Sequence, residues 1–286
     1  MRIASYNIQY GTGRDGVCDI KRIASEVEGA DLIAFQEIDR FWPRTGESDQ
    51  LAELQSLLSG YFVVYGAGVD IHHSSSKPDQ HRRRQFGNAI FSRYPILSNR
   101  HHLLPKRGSI DPLSIQRSAT EATVRCPAGD VRVYSVHLTH LSVETRLPQI
   151  DRLLEIHRSA VHEGAAVSGD VSGMNWEDGI VTQEVPHDTI MLGDFNCQPD
   201  SPEYLRMVGP LSDYGGHITP TDGFVDAWVK CGNDKNDGFT SDVNDLPARL
   251  DYAFVSSTIR ERIQSCSVDT NAKGSDHLPL WLDIDL

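Results

Sequence analysis

Thr189-Ile190-Met191-Leu192-Gly193-Asp194-Phe195-Asn196 is an apolar run that breaks at a glycine and then presents a carboxylate and a carboxamide two residues apart. In an extended backbone, side chains two apart share a face, so Asp194 and Asn196 emerge together where a buried strand ends. Sheet folds place ligand and catalytic groups at such ends. A plain core strand gains nothing from them, because burying unpaired polar groups costs free energy. Asp and Asn also favour strand-to-loop turns, so the octapeptide alone fits a turn and a site equally well. The rest of the chain decides between them.

The chain has 286 residues, enough for a large core, and folds of this size with two sheets or α/β layers often form one domain. One domain over residues 1–286 is therefore expected. A hydrophobic fraction of 39% and a charged fraction of 23% are those of an ordinary globular protein. The formal net charge of −13 disfavours a broad nucleic-acid footprint unless a basic patch or metal ions intervene. Five scattered cysteines (18, 126, 197, 231 and 266) lack paired spacing, which argues against a disulfide framework and a Cys-ligated zinc site. Cys197 follows Asn196 directly, but nothing nearby marks its thiol as activated. No segment approaches the ~18 apolar residues of a membrane span. The N-terminus enters a strand pattern at once, without a charged start and apolar stretch, so a cytoplasmic protein without a signal peptide is expected.

Working outward from the octapeptide, strand patterns are expected at residues 2–8, 31–38, 61–65, 88–92, 121–125, 131–138, 189–194, 250–255 and 280–284. Helical patterns lie between them. Ile20, Ile23, Ala24 and Val27 follow helical spacing and Gly29 closes that run. Ser48 is placed to cap a second helix whose Leu51, Leu54, Leu57 and Leu58 form one face. A third covers roughly residues 145–160, with Pro148 tolerable only near its first turn, and a fourth opens at Ser201-Pro202 and ends at Gly209. Two polar stretches, 72–84 with Arg82-Arg83-Arg84 and 164–188, are expected loops. A faint internal echo also shows: a strand ending in Asn7, a helix, then a strand ending in Glu37, and later a strand ending in His137, a helix, then a strand ending in Asp194. It suggests a duplicated strand–helix–strand unit, one per sheet.

The strand-end polar residues are Asn7, Glu37, His137, Asp194, Asn196, Asp251, Asp276 and His277. Any one of them alone is an ordinary turn residue; eight with the same placement point to a shared site. Carboxylates and amide oxygens suit a hard cation such as magnesium or manganese. Histidines beside carboxylates suit proton handling and stabilisation of a negative transition state. The combination, without a cysteine cluster, favours metal-assisted phosphoester hydrolysis over a zinc peptidase or thiol chemistry.

The ordered set Ser5-Tyr6-Asn7, Gln36-Glu37, Gly87-Asn88-Ala89-Ile90, Arg117, Val136-His137-Leu138, Gly193-Asp194-Phe195-Asn196, Arg249-Leu250-Asp251-Tyr252 and Ser275-Asp276-His277 resembles the endonuclease/exonuclease/phosphatase superfamily over nearly the whole chain. The resemblance implies an α/β fold: a four-layer α/β/β/α sandwich, with two mixed β-sheets face to face, helices outside and the active site at one end. It implies that Glu37 is the principal ligand of a divalent metal, Mg2+ or Mn2+, with Asn7 beside it and Asp276 near the ion. Asp194 would orient or deprotonate the attacking water, and Asn196 would donate hydrogen bonds to the phosphoryl oxygens. His277, held by Asp251, would stabilise the phosphorane, and His137 would hold the phosphate or protonate the leaving oxygen. Asn88 and Arg117 are the expected non-metal phosphate contacts. Classical abasic endonucleases have a tyrosine in place of His137 and an acid in place of Gln9, so this chain departs from them at both positions.

The leading expectation is a metal-dependent phosphoesterase acting on a small or headgroup-like phosphoester, with no protein partner and no membrane span evident. The alternative is a DNA or RNA nuclease using Arg82-Arg83-Arg84 as a basic loop, although a charge run is usually solvated. A catalytically dead binding module ranks last, because Glu37, Asp194 and His277 are all present. His72-His73 and His101-His102 are expected to be surface pairs.

Overall fold

The structure, a computed structural model, describes residues 1–74, 81–170, 172–175 and 184–286. Two six-stranded sheets form its body. The first contains β1 (Arg2–Asn7), β2 (Leu32–Arg40), β3 (Phe62–His72), β4 (Arg83–Ser92), β13 (Ile263–Val268) and β14 (Leu280–Ile284), in the order β13-β14-β1-β2-β4-β3. The second contains β5 (Ile96–Leu103), β6 (Ser118–Cys126), β7 (Gly129–His137), β8 (Thr189–Asp194), β9 (Phe224–Asp226) and β12 (Asp251–Ser256), in the order β5-β6-β7-β8-β12-β9. A small hairpin, β10 (Ser241–Val243) with β11 (Leu246–Ala248), stands apart.

Each sheet holds one parallel pair among antiparallel neighbours: β1 with β2, joined through α1 (Ile20–Glu26), and β7 with β8, joined through α3 (Val143–Glu163). These are the two strand–helix–strand units that the sequence echoed. Both sheets are buried on both faces, which is why their central strands read as near-continuous apolar runs. Between the sheets pack Ile3, Leu32, Ala34, Ile90, Val133, Leu192 and Leu282. The residues one position along point the other way: Ala4, Ile33 and Phe35 meet Ile20, Ile23, Leu51 and Leu54 on the outer face of the first sheet. On the second sheet Tyr134, Val136 and Met191 meet Ile150, Leu153 and Tyr204. The expected four layers are therefore present.

Several boundaries differ from expectation. The second helix, α2 (Gln50–Leu57), is capped by Asp49, whose carboxylate accepts from the Ala52 N–H; Ser48 lies one residue outside. α3 starts two residues earlier than expected, through a capping box of Ser142 and Thr145, and Pro148 falls in its second turn. The helix is long enough to bury Ile150, Leu153, Leu154 and Ile156, and that packing outweighs the lost hydrogen bond. α4 (Pro202–Val208) starts and stops where expected, with Ser201 capping and Gly209 at φ 95°. α5 (Ala227–Lys230) is a single turn.

β5 and β13 were not anticipated; both are edge strands with polar, alternately exposed residues, which blurs the strand pattern. β3 and β4 run further than expected, so the stretch 72–84 is flanked by strand at both ends. Residues 75–80 of that stretch, and 171 and 176–183 of the stretch 164–188, lie outside the described residues. His73 is buried against Glu47, and His102 is half-buried on Glu121 at 2.7 Å, so neither pair is simply superficial. Among the described residues no helix is long and apolar enough to cross a membrane.

Candidate active site

The two parallel pairs end at the same edge of the sandwich, and strand register does most of the assembly. Within the second sheet His137 lies directly across from Asp194, and Asp194 across from Asp251. Three functional side chains thus share one row over three adjacent strands. Gly193 makes the close approach possible: at φ 140°, it lies where a Cβ would collide with the Val136 carbonyl oxygen of β7. In the first sheet Asn7 ends β1, while Glu37 occupies a bulge in β2 between Phe35 and Ile38 at φ 61°. Asn196 is likewise left-handed at φ 50°. Such conformations cost ~1–3 kcal/mol in non-glycine residues and concentrate at functional sites, where the surroundings hold them. The bulge turns Glu37 out of the alternation and into the cleft.

Asp194 is the hub, and it is fully buried. Its Oδ1 accepts from the Asn196 backbone N–H at 2.8 Å. Its Oδ2 accepts from Asn7 Nδ2 and Asn196 Nδ2, both at 3.1 Å, and faces His137 Nε2 at 3.4 Å and His277 Nε2 at 3.8 Å. Asn7 also reaches Glu37 Oε1 at 3.4 Å, which His137 Nε2 faces at 3.7 Å. Behind His277, Asp251 Oδ2 accepts from Nδ1 at 2.8 Å. Ser275 fastens the last segment by donating to the Asn7 carbonyl at 2.7 Å. Asn7, Glu37, His137, Asp194, Asn196, Asp251 and His277 are therefore one connected cluster, with Asp276 linked to it through Ser275.

The two histidines have opposite electrostatics. Arg117 Nη1 donates to His137 Nδ1 at 2.9 Å. A guanidinium has no acceptor, so Nδ1 is unprotonated and the neutral ring carries its hydrogen on Nε2, aimed at Glu37 and Asp194. Burial first, then Arg117, His277 and His140, holds His137 well below the usual imidazole range. His277 is also buried, which opposes its charge, but Asp251 and Asp194 outweigh burial and raise it to about 10. Burial pushes the Asp194 carboxyl up to about 7 against the pull of His277. It raises Glu37 too, against Arg117 and His277.

A divalent cation fits this donor set. Among the described residues Glu37 has no ion pair with an Arg or Lys side chain, and Asp276 opposes its charge, partly offset by Arg117 and His277. Gln9 Nε2 donates to Asp276 Oδ2 at 2.7 Å and steadies it. Among the described residues no group of three or more His, Cys, Asp or Glu side chains is spaced to cage an ion. A magnesium-type ion takes one or two protein carboxylates and keeps waters, and Glu37 and Asp276 are two such carboxylates.

Three expected contacts are arranged differently. Asn88 is buried between the sheets, its amide donating to the carbonyls of Ser118 and Ser135 at 2.9 and 3.2 Å. Arg117 holds His137, and reaches His140 Nδ1 at 3.4 Å. The amide hydrogens of Asn196 are directed at Asp194 and at the Leu138 carbonyl, 3.0 Å away. Within the basic run, Arg83 pairs with Asp70 and Arg84 with Glu47, while Arg82 lies over the Phe41 ring. Cys197 is buried and its thiol is pushed up to about 12, consistent with a packing role. Sequence reasoning missed Gln9 as a partner of Asp276. Its signal was its place two residues beyond Asn7, in a turn where Gln9 and Tyr10 both have positive φ.

The sequence profile of the Endonuclease/Exonuclease/phosphatase family matches residues 4–277. No curated protein matches the chain. Among solved structures, an endonuclease/exonuclease/phosphatase from Beutenbergia cavernae is 24% identical with TM-score 0.69, covering 100% of this chain and 71% of that one. The mannosyl-6-phosphatase of Bacteroides thetaiotaomicron is 19% identical with TM-score 0.67, covering all of both chains. Truncated TDP2 of Caenorhabditis elegans is 18% identical with TM-score 0.60, covering 98% and 95%. At these identities the structural likeness shows a shared fold. Combined with the profile match over nearly its full length, it establishes that the chain belongs to the endonuclease/exonuclease/phosphatase family, whose members hydrolyse phosphoester bonds.

Proposed function

We propose that the chain is a divalent-metal-dependent phosphoester hydrolase. The observation that carries this reading is the convergence on Asp194 of Asn7, Asn196, His137 and His277, with Asp251 behind His277. Glu37, with Asn7 and Asp276, would hold Mg2+ or Mn2+, which when bound neutralises charge on the phosphoryl group.

The chain's own groups account for the rest. Asp194, held by Asn7 and Asn196, takes a proton from the attacking water through Oδ2. The water oxygen bonds to phosphorus, the bond from phosphorus to the ester oxygen breaks, and its electron pair leaves on that oxygen. His277, kept cationic by Asp251, donates to the developing charge and has a proton to give to the leaving oxygen. His137, neutral and donating from Nε2, supplies a fixed hydrogen bond, and Arg117 sets its tautomer. The pairing of Arg83 and Arg84 with acids favours a small or headgroup-like phosphoester over nucleic acid.

The test is hydrolysis of a chromogenic phosphodiester and the matching monoester. Activity is expected with Mg2+ or Mn2+, lost on chelation and restored by readdition, and absent in Glu37→Ala and His277→Ala. Rates that do not differ between wild type and these variants would remove the reading.

A further inference from the structure

Next to the candidate site lies a cleft of about 570 Å3, whose lining includes Glu37 and Arg117. That volume is within the range of small-molecule sites. Separate parts of the chain wall it: Tyr10 after β1, Trp42 after β2, Val69 and Phe86 from β3 and β4, and Leu113 and Ile115 from the stretch between β5 and β6. The Arg44 guanidinium lies over the Tyr10 and Trp42 rings, 4.4 and 4.9 Å from their centroids, and extends the flat surface.

Among the polar side chains on these walls, Arg44, Asp70, Ser114 and Gln116 are already engaged within the protein. Arg44 donates from Nε and Nη2 to the buried carboxylate of Asp39, at 2.8 and 2.7 Å. Asp70 accepts from Arg83 and from Gln85 Nε2. Gln116 Nε2 donates to the carbonyls of Leu104 and Arg117 at 2.7 and 2.9 Å, and Ser114 donates to the Arg107 carbonyl at 3.0 Å. A polyhydroxylated group placed here would leave most of its hydroxyls unpaired. A planar apolar group would find aromatic and aliphatic walls, with Phe86 also leading to the His137 ring at 6.4 Å.

We propose that this cleft seats the non-phosphoryl half of the ester, and that this half is an apolar, ring-bearing group rather than a sugar. The reaction part of the proposal rests on the phosphoesterase reading; the binding part does not. Because Glu37 and Arg117 border both the hub and the cleft, a phosphoryl group at the hub puts its ester substituent against the cleft walls.

Calorimetry on the magnesium-supplemented protein tests the binding part without turnover, using 2-(1-naphthyl)ethylphosphonate against the 6-phosphonate analogue of glucose. The naphthyl compound is expected to bind at least ~10-fold more tightly, the gain from burying one ring system. Trp42→Ala and Leu113→Ser should bring the ratio of the two affinities towards one. Leu113 is 75% exposed, so that variant does not endanger the fold. Equal affinities, no binding of either compound, or a ratio unaltered in both variants would overturn the proposal. In parallel, kcat/KM for 2-(1-naphthyl)ethyl phosphate should exceed that for glucose 6-phosphate by the same factor, since both are primary alkyl esters of similar intrinsic reactivity. Ring-selective binding without metal-dependent hydrolysis of either ester would contradict the phosphoesterase reading while leaving the cleft assignment standing.

Discussion

Replacing Arg117 by methionine separates two roles for this residue, direct phosphate contact and control of His137. The structure favours the second. Arg117 Nη1 is 2.9 Å from His137 Nδ1, whereas the carboxylates facing the other ring nitrogen are 3.4 and 3.7 Å away. Without the guanidinium, both tautomers become available and the ring loses its closest tether. A buried hydrogen bond to a charged group contributes ~1.5–3 kcal/mol, which corresponds to a ~10- to 150-fold fall in kcat if His137 acts mainly in the transition state. KM should stay within about twofold, as expected when an interaction peculiar to the transition state is lost. Stability should fall by about 1–3 kcal/mol. The substitution fills a similar volume but leaves the buried His137 Nδ1 without its donor and removes a cation facing Glu37 and Asp194. Steady-state kinetics on the metal-loaded enzyme with a matched thermal melt reads both quantities. A raised KM at unchanged kcat would refute the reasoning and return Arg117 to the phosphate.

Two further outcomes follow from other parts of the structure. Asp251→Ala removes the acceptor of His277 Nδ1, so kcat should fall ~10-fold or more with the circular dichroism spectrum intact; more than half of wild-type activity would show that His277 does not depend on it. Far from the site, His157 is buried beside Arg132, whose Nη2 lies 3.1 Å from its Nδ1, and burial first, then Arg132, lowers it from 6.5 to about 4. The unfolded chain then binds more protons than the folded one between those values, so stability should fall by about 3 kcal/mol as pH drops through that window. His157→Gln should abolish this part of the pH dependence in chemical denaturation, and an identical profile for both proteins would count against the assignment.

Much of this was legible in the sequence, for identifiable reasons. The central strands are buried on both faces and so announce themselves as apolar runs, and the polar residues that end them stand out by contrast. The parallel units around Asn7–Glu37 and His137–Asp194 could be seen because each strand ends its apolar run on a polar residue; His137 and Asp194 are also in register, whereas Asn7 pairs with Gln36 and Glu37 lies in the bulge. Edge strands such as β5 and β13 were hidden, since half of their residues face solvent and follow no apolar pattern. The identity of the site residues was readable while their hydrogen-bond directions were not. That Asn88 joins the two sheets, that Arg117 donates to a histidine and that Gln9 holds Asp276 depend on which oxygen or nitrogen lies within 3 Å after folding. The cleft of Tyr10, Trp42, Phe86 and Leu113 was likewise invisible, because its walls come from segments far apart in the chain.

The central claim is that Asp194 takes the proton from the attacking water, and Asp194→Asn in the metal-loaded enzyme tests it most directly. The substitution preserves shape and keeps an oxygen for the Asn196 N–H, but removes the basic site. The account predicts a ~10²- to 10⁴-fold loss in kcat for a phosphodiester, the contribution typical of a positioned general base, with metal affinity close to wild type and a lowered melting temperature, since the new amide nitrogen faces the Asn7 and Asn196 donors. Activity within tenfold of wild type would contradict it and move the base elsewhere in the site.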